Sequence, residues 1–258
     1  MLLGGIISMA QKLVEYYDFA YAKDLADKIK YTNTSFDHEK FLKIVASRLG
    51  SETFLARQDI YVDAFEQTME SDYGKNLEIF KAIWGDELIH ETGMFKYGWW
   101  LWPIGRYVER HGCKEPGISY EFIKEFTKRQ TGEYAIRPLL IMHTEMTMKQ
   151  MLEWSIDENV HVRRLSSEGM RINLPWAKKT AIALDYFEIF KKVLTNLKDD
   201  SSKFVQKSVG NNLNDLYKYE KELADQIISK WSKEELSKPA LWVVKHGQRS
   251  NKRTKTSN

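Results

Sequence analysis

Little in this chain can cross-link it, break its helices or carry it through a membrane. A single cysteine, Cys113, excludes an internal disulfide and fits a reducing compartment such as the cytoplasm. Only 5 prolines occur in 258 residues, and none precedes Pro103. Proline is the strongest helix breaker, so its scarcity favours a helical protein. No apolar run approaches the roughly 20 residues of a membrane span. The apolar start, MLLGGIISMA, is short and lacks a basic n-region, so no signal peptide is expected, and Met9 is a second candidate for the natural start. Strand-like alternation, hairpin signals and glycine-rich phosphate loops are all missing. Neither sign of charge is in large excess. The formal net charge of +3 permits a basic groove without demonstrating one.

What remains is helical periodicity. The chain is 43% hydrophobic and 13% aromatic, which places it among globular rather than disordered sequences. Its length suffices for a sizeable core. Apolar residues recur at three- and four-residue spacing in LVEYYDFAYAKDLADKI, DHEKFLKIVASRL, FLARQDIYVDAFEQTM and YGKNLEIFKAIWG, which predicts four helices. Asp37 is placed to cap the second, Gly50 sits just past its end, and Gly85 closes the fourth. Glu91 to Gly117 is expected to be the least regular part. There Trp99, Trp100 and Trp102 stand beside Pro103, either as a turn packed by large aromatics or as a wall for stacked bases. His90 follows Asp86 by four residues, a helical chelate spacing, but no third ligand is near, so no metal site is expected. Ile118 to Gln130 reads as another amphipathic helix. In TGEYAIRPLL, Glu133 and Arg137 stand four apart in an apolar setting and are placed to pair.

The stretch from Asp157 to Trp176, DENVHVRRLSSEGMRINLPW, is the richest in charge and small residues together. Val162, Leu165, Ser166 and Gly169 fall at helical spacing as a buried stripe, and Arg164, Glu168 and Arg171 share a second face, away from the core. Asp157 or Asn159 can cap the start, and Pro175 stops continuation. Alone, this is a surface helix with an ion pair worth a few tenths of a kcal/mol. The pattern recurs, however. KKTAIALDYFEIFKKVLTNL predicts a long helix, and in the following DDSSKFVQKSVGNNLNDLYK, Val205 aligns with Val162 at a shift of 43 residues. Lys207 then falls under Arg164, Asn211 under Glu168, and Asn214, followed by Asp215, under Arg171. A fainter copy, WVVKHGQRS, places His246 under Lys207. A period near 40 with two helices per unit predicts an all-α fold, a right-handed α-solenoid of HEAT-like (armadillo-like) repeats. We expect one domain over residues 1–258, with a disordered start over 1–9 and a mobile basic tail from about 250 to 258. Equivalent helices would line a concave surface where cations suit phosphates. The carboxylates among them serve either structural pairing or chemistry on a substrate that develops positive charge. Trp176 is either a flat ring on that surface or a core tryptophan.

Five segments now stand in order: PIGRYVERHG, EYAIRPLL, DENVHVRRLSSEGMRINLPW, KDDSSKFVQKSVGNNLNDL and WVVKHGQR. Together, at this spacing and over most of the chain, they resemble the HEAT-like-repeat alkylpurine DNA glycosylases, the AlkC/AlkD group. The resemblance is to the AlkC branch, without the C-terminal immunoglobulin-like domain of some relatives. It implies a solenoid cradling duplex DNA and hydrolysis of the N-glycosidic bond of cationic N-alkylated bases such as 3-methyladenine or 3-methylcytosine, without flipping the base into a deep pocket. The chemistry needs no cofactor and no metal, the missing apolar run leaves no membrane partner, and a monomer is expected because such a fold needs no partner to complete its core; the expected place is a bacterial-type cytoplasm, nucleoid-associated when on DNA. By position, the resemblance makes Glu133 and Asp215 catalytic and places Arg164, Glu168 and Trp176 in the active cleft. Arg137, Arg163, Arg171, Lys207, Lys245, His246 and Arg249 extend the cleft and DNA-binding face. The sequence departs from the usual pattern at RINLPW, where Ile172 and Asn173 replace a proline and an arginine. It departs again at VQKSVGN, where Gln206 and Lys207 replace arginines and Gly210 an alanine, and at WVVKHGQR, where Gly247 replaces an alanine. Each change is expected to cost cationic or helix-forming character near the DNA face. That leaves room for a second reading, a non-enzymatic HEAT-repeat protein that binds DNA structures or a protein partner.

Overall fold

The computed structural model describes residues 12–91, 97–233 and 235–250, and among them only helices, turns and loops occur. The expected start over 1–9 and the tail beyond 250 lie outside the described residues. The chain divides into two compact units, Met1–Gly85 with Trp100–Arg106, and Asp86–Trp99 with Tyr107–Asn258.

The first unit holds α1 (Phe19–Thr32), α2 (His38–Arg48), α3 (Phe54–Thr68) and α4 (Tyr73–Ile83). Three of them start on an aspartate whose side chain accepts from a backbone N–H in the first turn: Asp18 from Tyr21, Asp37 from Lys40 and Asp72 from Lys75. Asp18 also explains a difference from expectation. The first helix does not run through LVEYYD; Leu13–Tyr16 forms a separate 3-10 turn and Asp18 starts the α-helix afresh. Gly85 follows α4 at φ +75°, a backbone geometry that costs glycine nothing. The core is aromatic. Tyr21 packs edge-on to Tyr17 and Tyr61 at 5.1 and 5.3 Å, and Phe65 contacts Phe41 and Phe80 at 5.4 and 5.2 Å.

From Trp99 onward, the segment expected to be irregular is mostly helical. Trp102–His111 forms α5, preceded by a 3-10 turn over Trp99–Leu101. Pro103 does not break it, because in a helix's first turn the missing N–H has no partner to lose. Trp102 is buried and meets Phe54 edge-on at 4.7 Å, so this tryptophan is core rather than a wall for bases.

The second unit contains α6 (Pro116–Thr127), α7 (Ile136–Met142), α8 (Thr144–Trp154), α9 (Val160–Glu168), α10 (Phe187–Leu197), α11 (Lys203–Tyr219), α12 (Lys221–Trp231) and α13 (Lys238–Gly247). The repeat is present as successive helix pairs, and α9 packs on α11, which packs on α13. Val162 and Val205, the two aligned valines, are both fully buried, as are Leu165, Ser166 and Gly169 of the predicted stripe. Asn159 caps α9 by accepting from the His161 N–H. The helix ends at Glu168, before Pro175 is reached. The long helix expected from Lys178 onward is shorter: Ile182–Tyr186 is a 3-10 turn and the α-helix begins at Phe187. The backbone ahead of it is committed elsewhere, since the Lys178 carbonyl accepts from Arg137.

The two glycine departures have a packing cause. A Cβ on Gly247 would lie 2.6 Å from Leu213 Cβ, and one on Gly210 would lie 2.8 Å from His246 Cδ2. The glycines therefore set the close approach of α11 and α13, and the lost helix propensity is exchanged for contact. Gly247→Ala is expected to destabilise the protein by ~1–3 kcal/mol in urea unfolding, as overpacking of a tight contact does. Gly117→Ala, where nothing lies within 4 Å, is the control that keeps or slightly gains stability.

Candidate active site

A chain of alternating charges runs through the second unit. Arg164 and Glu168 are one helical turn apart on α9, and Arg171 lies just past its end. Glu133 arrives from the turn before α7, and Asp215 from α11. Arg164 Nη1 lies 2.6 Å from Glu133 Oε2, and its Nη2 lies 3.5 Å from Glu168 Oε1. Arg171 Nη1 meets the same Glu168 oxygen at 2.8 Å, while its Nε donates to Asp215 Oδ2 at 3.1 Å. The face expected to point away from the core is thus mostly buried: Glu168 is 5% exposed and Arg171 8%. Exposed ion pairs of this spacing contribute little, but buried charges must be fully partnered. The remaining lone pairs and protons are met. The Thr131 hydroxyl donates to Glu133 and accepts from Arg164, the Ser208 hydroxyl serves Glu168, and the Asn173 N–H donates to Asp215.

Burial pushes the Glu133 carboxyl above the ordinary carboxylate range, against the opposing pull of Arg164. Burial acts the same way on Glu168, but Arg164 and Arg171 outweigh it and hold that carboxyl low. Both guanidiniums lose solvation on burial and recover more from their carboxylates, which keeps them firmly charged.

Above the network opens a recess of about 710 Å³, lined by Glu91, Glu133, Tyr134, Arg164, Glu168, Arg171, Pro175, Trp176, Lys203, Phe204, Lys207, Ser208 and Asn211. Charged groups sit at its floor, rings at its walls, and Lys203 and Lys207 are exposed at its rim. The Arg164 guanidinium lies 4.6 Å from the Phe204 ring centroid. Trp176 is not a core residue. It is 57% exposed, and at φ +64° it occupies a left-handed conformation that is strained for a bulky side chain, at about 1–3 kcal/mol.

Among the expected site residues, the recess gathers Glu133, Arg164, Glu168, Arg171, Trp176 and Lys207. Asp215 stands behind it, 3% exposed and joined to it through Arg171. Arg137 and Arg163, expected on the DNA face, are turned to structural work. Arg137 does not pair with Glu133; it is buried and donates to the carbonyls of Gly169, Arg171 and Lys178. Arg163 pairs with Asp200 at 2.7 Å and donates to the Asp157 and Glu158 carbonyls. His246 and Arg249 lie beside the recess and reach it through Asn211, whose Oδ1 is 3.1 Å from His246 Nε2 and 3.0 Å from Arg249 Nη2, whereas Lys245 is exposed in the last turn of α13 and does not line the recess. Gln206 is buried, donating to the Asp200 carbonyl and accepting from Lys203, so this departure falls behind the recess. Ile172 is buried, and Asn173 serves through its backbone.

Sequence reasoning passed over Glu91, Tyr134, Phe204, Lys203 and Ser208. Phe204 and Lys203 were available signals, one residue before and one helical turn before aligned positions. Glu91 was not, because it arrives from a loop to accept from the Ser202 hydroxyl at 2.5 Å. The Asp86 and His90 spacing has no helix to act on, since residues 86–91 are non-helical and His90 stacks on Tyr97 at 5.2 Å. Among the described residues no group of three or more His, Cys, Asp and Glu is placed to hold a metal ion.

His246 lies over Gly210, stacked on Trp242 at 4.8 Å and 9°. Burial, then Arg249 and Lys207, push its pKa down to about 4. The unfolded chain therefore binds a proton that the folded one refuses, and folding stability falls as pH drops from about 6.5 to about 4. His246→Gln is expected to flatten that part of the melting-temperature profile; an unchanged slope contradicts the assignment.

Residues 130–253 match the family model described as DNA alkylation repair enzyme. The uncharacterized protein YhaZ of Bacillus subtilis (strain 168) is 31% identical over 241 residues, covering 92% of this chain and 64% of its own length. The structure of Pseudomonas fluorescens alkylpurine DNA glycosylase AlkC, bound to DNA containing an abasic site analog, is similar with a TM-score of 0.82 at 29% identity, over 94% of this chain and 65% of that one. The chain thus spans slightly less than two thirds of each of these proteins. The AlkC-like relationship drawn from the motifs and the all-α, HEAT-like repeat fold are both supported. No described helix is long and apolar enough to cross a membrane.

Proposed function

We propose that this AlkC-like chain is a monofunctional DNA glycosylase that hydrolyses the N-glycosidic bond of cationic N-alkylated bases in duplex DNA. The observation that carries this reading is the excess of carboxylate beneath an aromatic-walled recess. Glu133, Glu168 and Asp215 face two guanidiniums, Arg164 and Arg171. A DNA-binding surface gains nothing from buried carboxylates, which oppose phosphate. A reaction that builds positive charge on a sugar does.

Alkylation on a ring nitrogen leaves the base cationic. As the C1′–N bond breaks, its electron pair returns to the base, which departs neutral, and positive charge passes to the sugar as an oxocarbenium-like species. Glu133, at the recess floor, stabilises that charge and takes a proton as water oxygen bonds to C1′. Asp215 acts at one remove, holding Arg171 and through it Glu168. Trp176, Tyr134 and Phe204 provide flat walls for the base, and Lys203 and Lys207 meet phosphates at the rim. The chemistry asks for no metal or organic cofactor, and we place it in a cytoplasmic monomer working on nucleoid DNA.

Release of 3-methyladenine or 3-methylcytosine from methylated duplex DNA is the test. Glu133→Gln is expected to slow release by about 100-fold or more, the scale of a lost acid–base group, and Asp215→Asn by up to about 100-fold, the scale of a misplaced catalytic group; wild-type rates in both overturn the assignment. Because the Glu133 carboxyl is raised and the carboxylate is the active form, kcat/KM falls as pH drops through a limb above the ordinary carboxylate range. That limb disappears in Glu133→Gln. Salt-sensitive duplex binding without base release identifies a binder instead.

A further inference from the structure

We propose that Arg137 is a positioning residue that fixes the Trp176 ring at the mouth of the recess; its catalytic consequence rests on the glycosylase reading, its structural role does not.

Arg137 is 5% exposed, on α7, and among the described residues it makes no ion pair. A buried guanidinium with no carboxylate at ion-pair distance is costly, and here only the more distant charge of Asp215 favours it, against Arg171, so its donors must be well used. The three hydrogen bonds they make all reach one loop. Nη1 donates to the carbonyls of Gly169 at 3.2 Å and Arg171 at 2.7 Å, and Nη2 to that of Lys178 at 3.0 Å. These carbonyls stand at the two ends of the segment whose far point is Pro175–Trp176. The same planar fork therefore ties both legs of the loop to one point, which an ammonium cannot reproduce. Tyr134, three residues earlier, donates its hydroxyl to the Pro175 carbonyl at 3.1 Å. Trp176 lies between these ties in its left-handed conformation. A strained residue persists only where its surroundings over-determine it, and here they do so from α7 and the turn before it. The ring is thereby set in place before any ligand arrives, so no ordering cost remains to be met on binding.

The test labels the protein with 5-fluorotryptophan and assigns the Trp176 line by its loss in Trp176→Phe. In Arg137→Lys and Arg137→Met the Trp176 fluorine line is expected to shift or broaden, with the other seven tryptophan lines in place. A Trp176 line that does not move in either variant overturns the proposal. If Arg137→Met fails to fold, Arg137→Lys carries the measurement. In base release, Arg137→Lys is expected to lower kcat about tenfold or more with KM nearly unchanged, as misplacement of a positioned group does. In a Trp176→Ala background the same change is expected to cost less than about twofold, because residues acting as one unit are not additive. Equal losses in the two backgrounds overturn the catalytic part. If the wild type releases no base, the glycosylase reading fails and the fluorine lines alone decide the positioning.

Discussion

The second unit depends on charges that have no water to go to. Arg171 is nearly sealed, and Glu168 and Asp215 are its two carboxylate partners. A buried charge left without any partner costs about 3–5 kcal/mol, and Arg171 avoids this with two. The requirement is geometric as much as energetic. Glu168 comes from α9 and Asp215 from α11, so satisfying Arg171 fixes the spacing of two adjacent repeats. Arg164 extends the same demand to Glu133 and the turn before α7. A helical repeat held by apolar contact alone tolerates small slides. One whose helices share guanidinium–carboxylate contacts does not, and the recess above inherits that precision.

Much of this was readable from spacing. The shift of 43 residues placed Val162 with Val205, and both prove to be core. It also put Asp215 near Arg171, whose side chains do meet. Asp37, Asn159, Gly85 and the small residues of α9 did what local rules predict, because caps and turns are decided by a few neighbouring residues. Most of the errors share one cause. Arg137, Arg163 and Gln206 look like surface groups by composition, and each is turned inward by partners 30 to 45 positions away or by a backbone carbonyl. Helical phase tells which residues share a face; it does not tell whether another element covers that face. The Glu168 face failed in this way. Pro103 failed differently: its meaning depends on whether it stands in the first turn of a helix or inside one, and the tryptophans around it hid the start.

The departures from the usual family pattern are best understood in pairs. Gly247 makes room for Leu213, and Gly210 makes room for the His246 ring, which stacks on Trp242 and contacts Asn211 at the recess. Gln206 uses both ends of its amide to link the Asp200 carbonyl and Lys203. Asp200 in turn holds Arg163, so an arginine at 206 would bring a second cation to a carboxylate already engaged. Taken singly each change looks like a loss of charge or helicity. In place, the changes at 206, 210 and 247 are each matched by a neighbour, and the one change that falls on the recess, Lys207, keeps its positive charge there.

The balance of the recess then follows from depth. Cations at the rim, Lys203 and Lys207, are exposed and suited to phosphates, where screening by salt is strong and affinity is shared among many contacts. Carboxylates lie deeper, where burial strengthens every electrostatic effect. A polyanion is therefore drawn to the rim, while the floor favours a group that is positive or becoming so. A single surface can serve both only if the two signs sit at different depths and the floor cannot collapse onto the rim. The shared guanidiniums of Arg164 and Arg171 meet that condition. They keep the carboxylates ionic partners rather than free charges, and they hold the excess of negative charge at the floor of the recess.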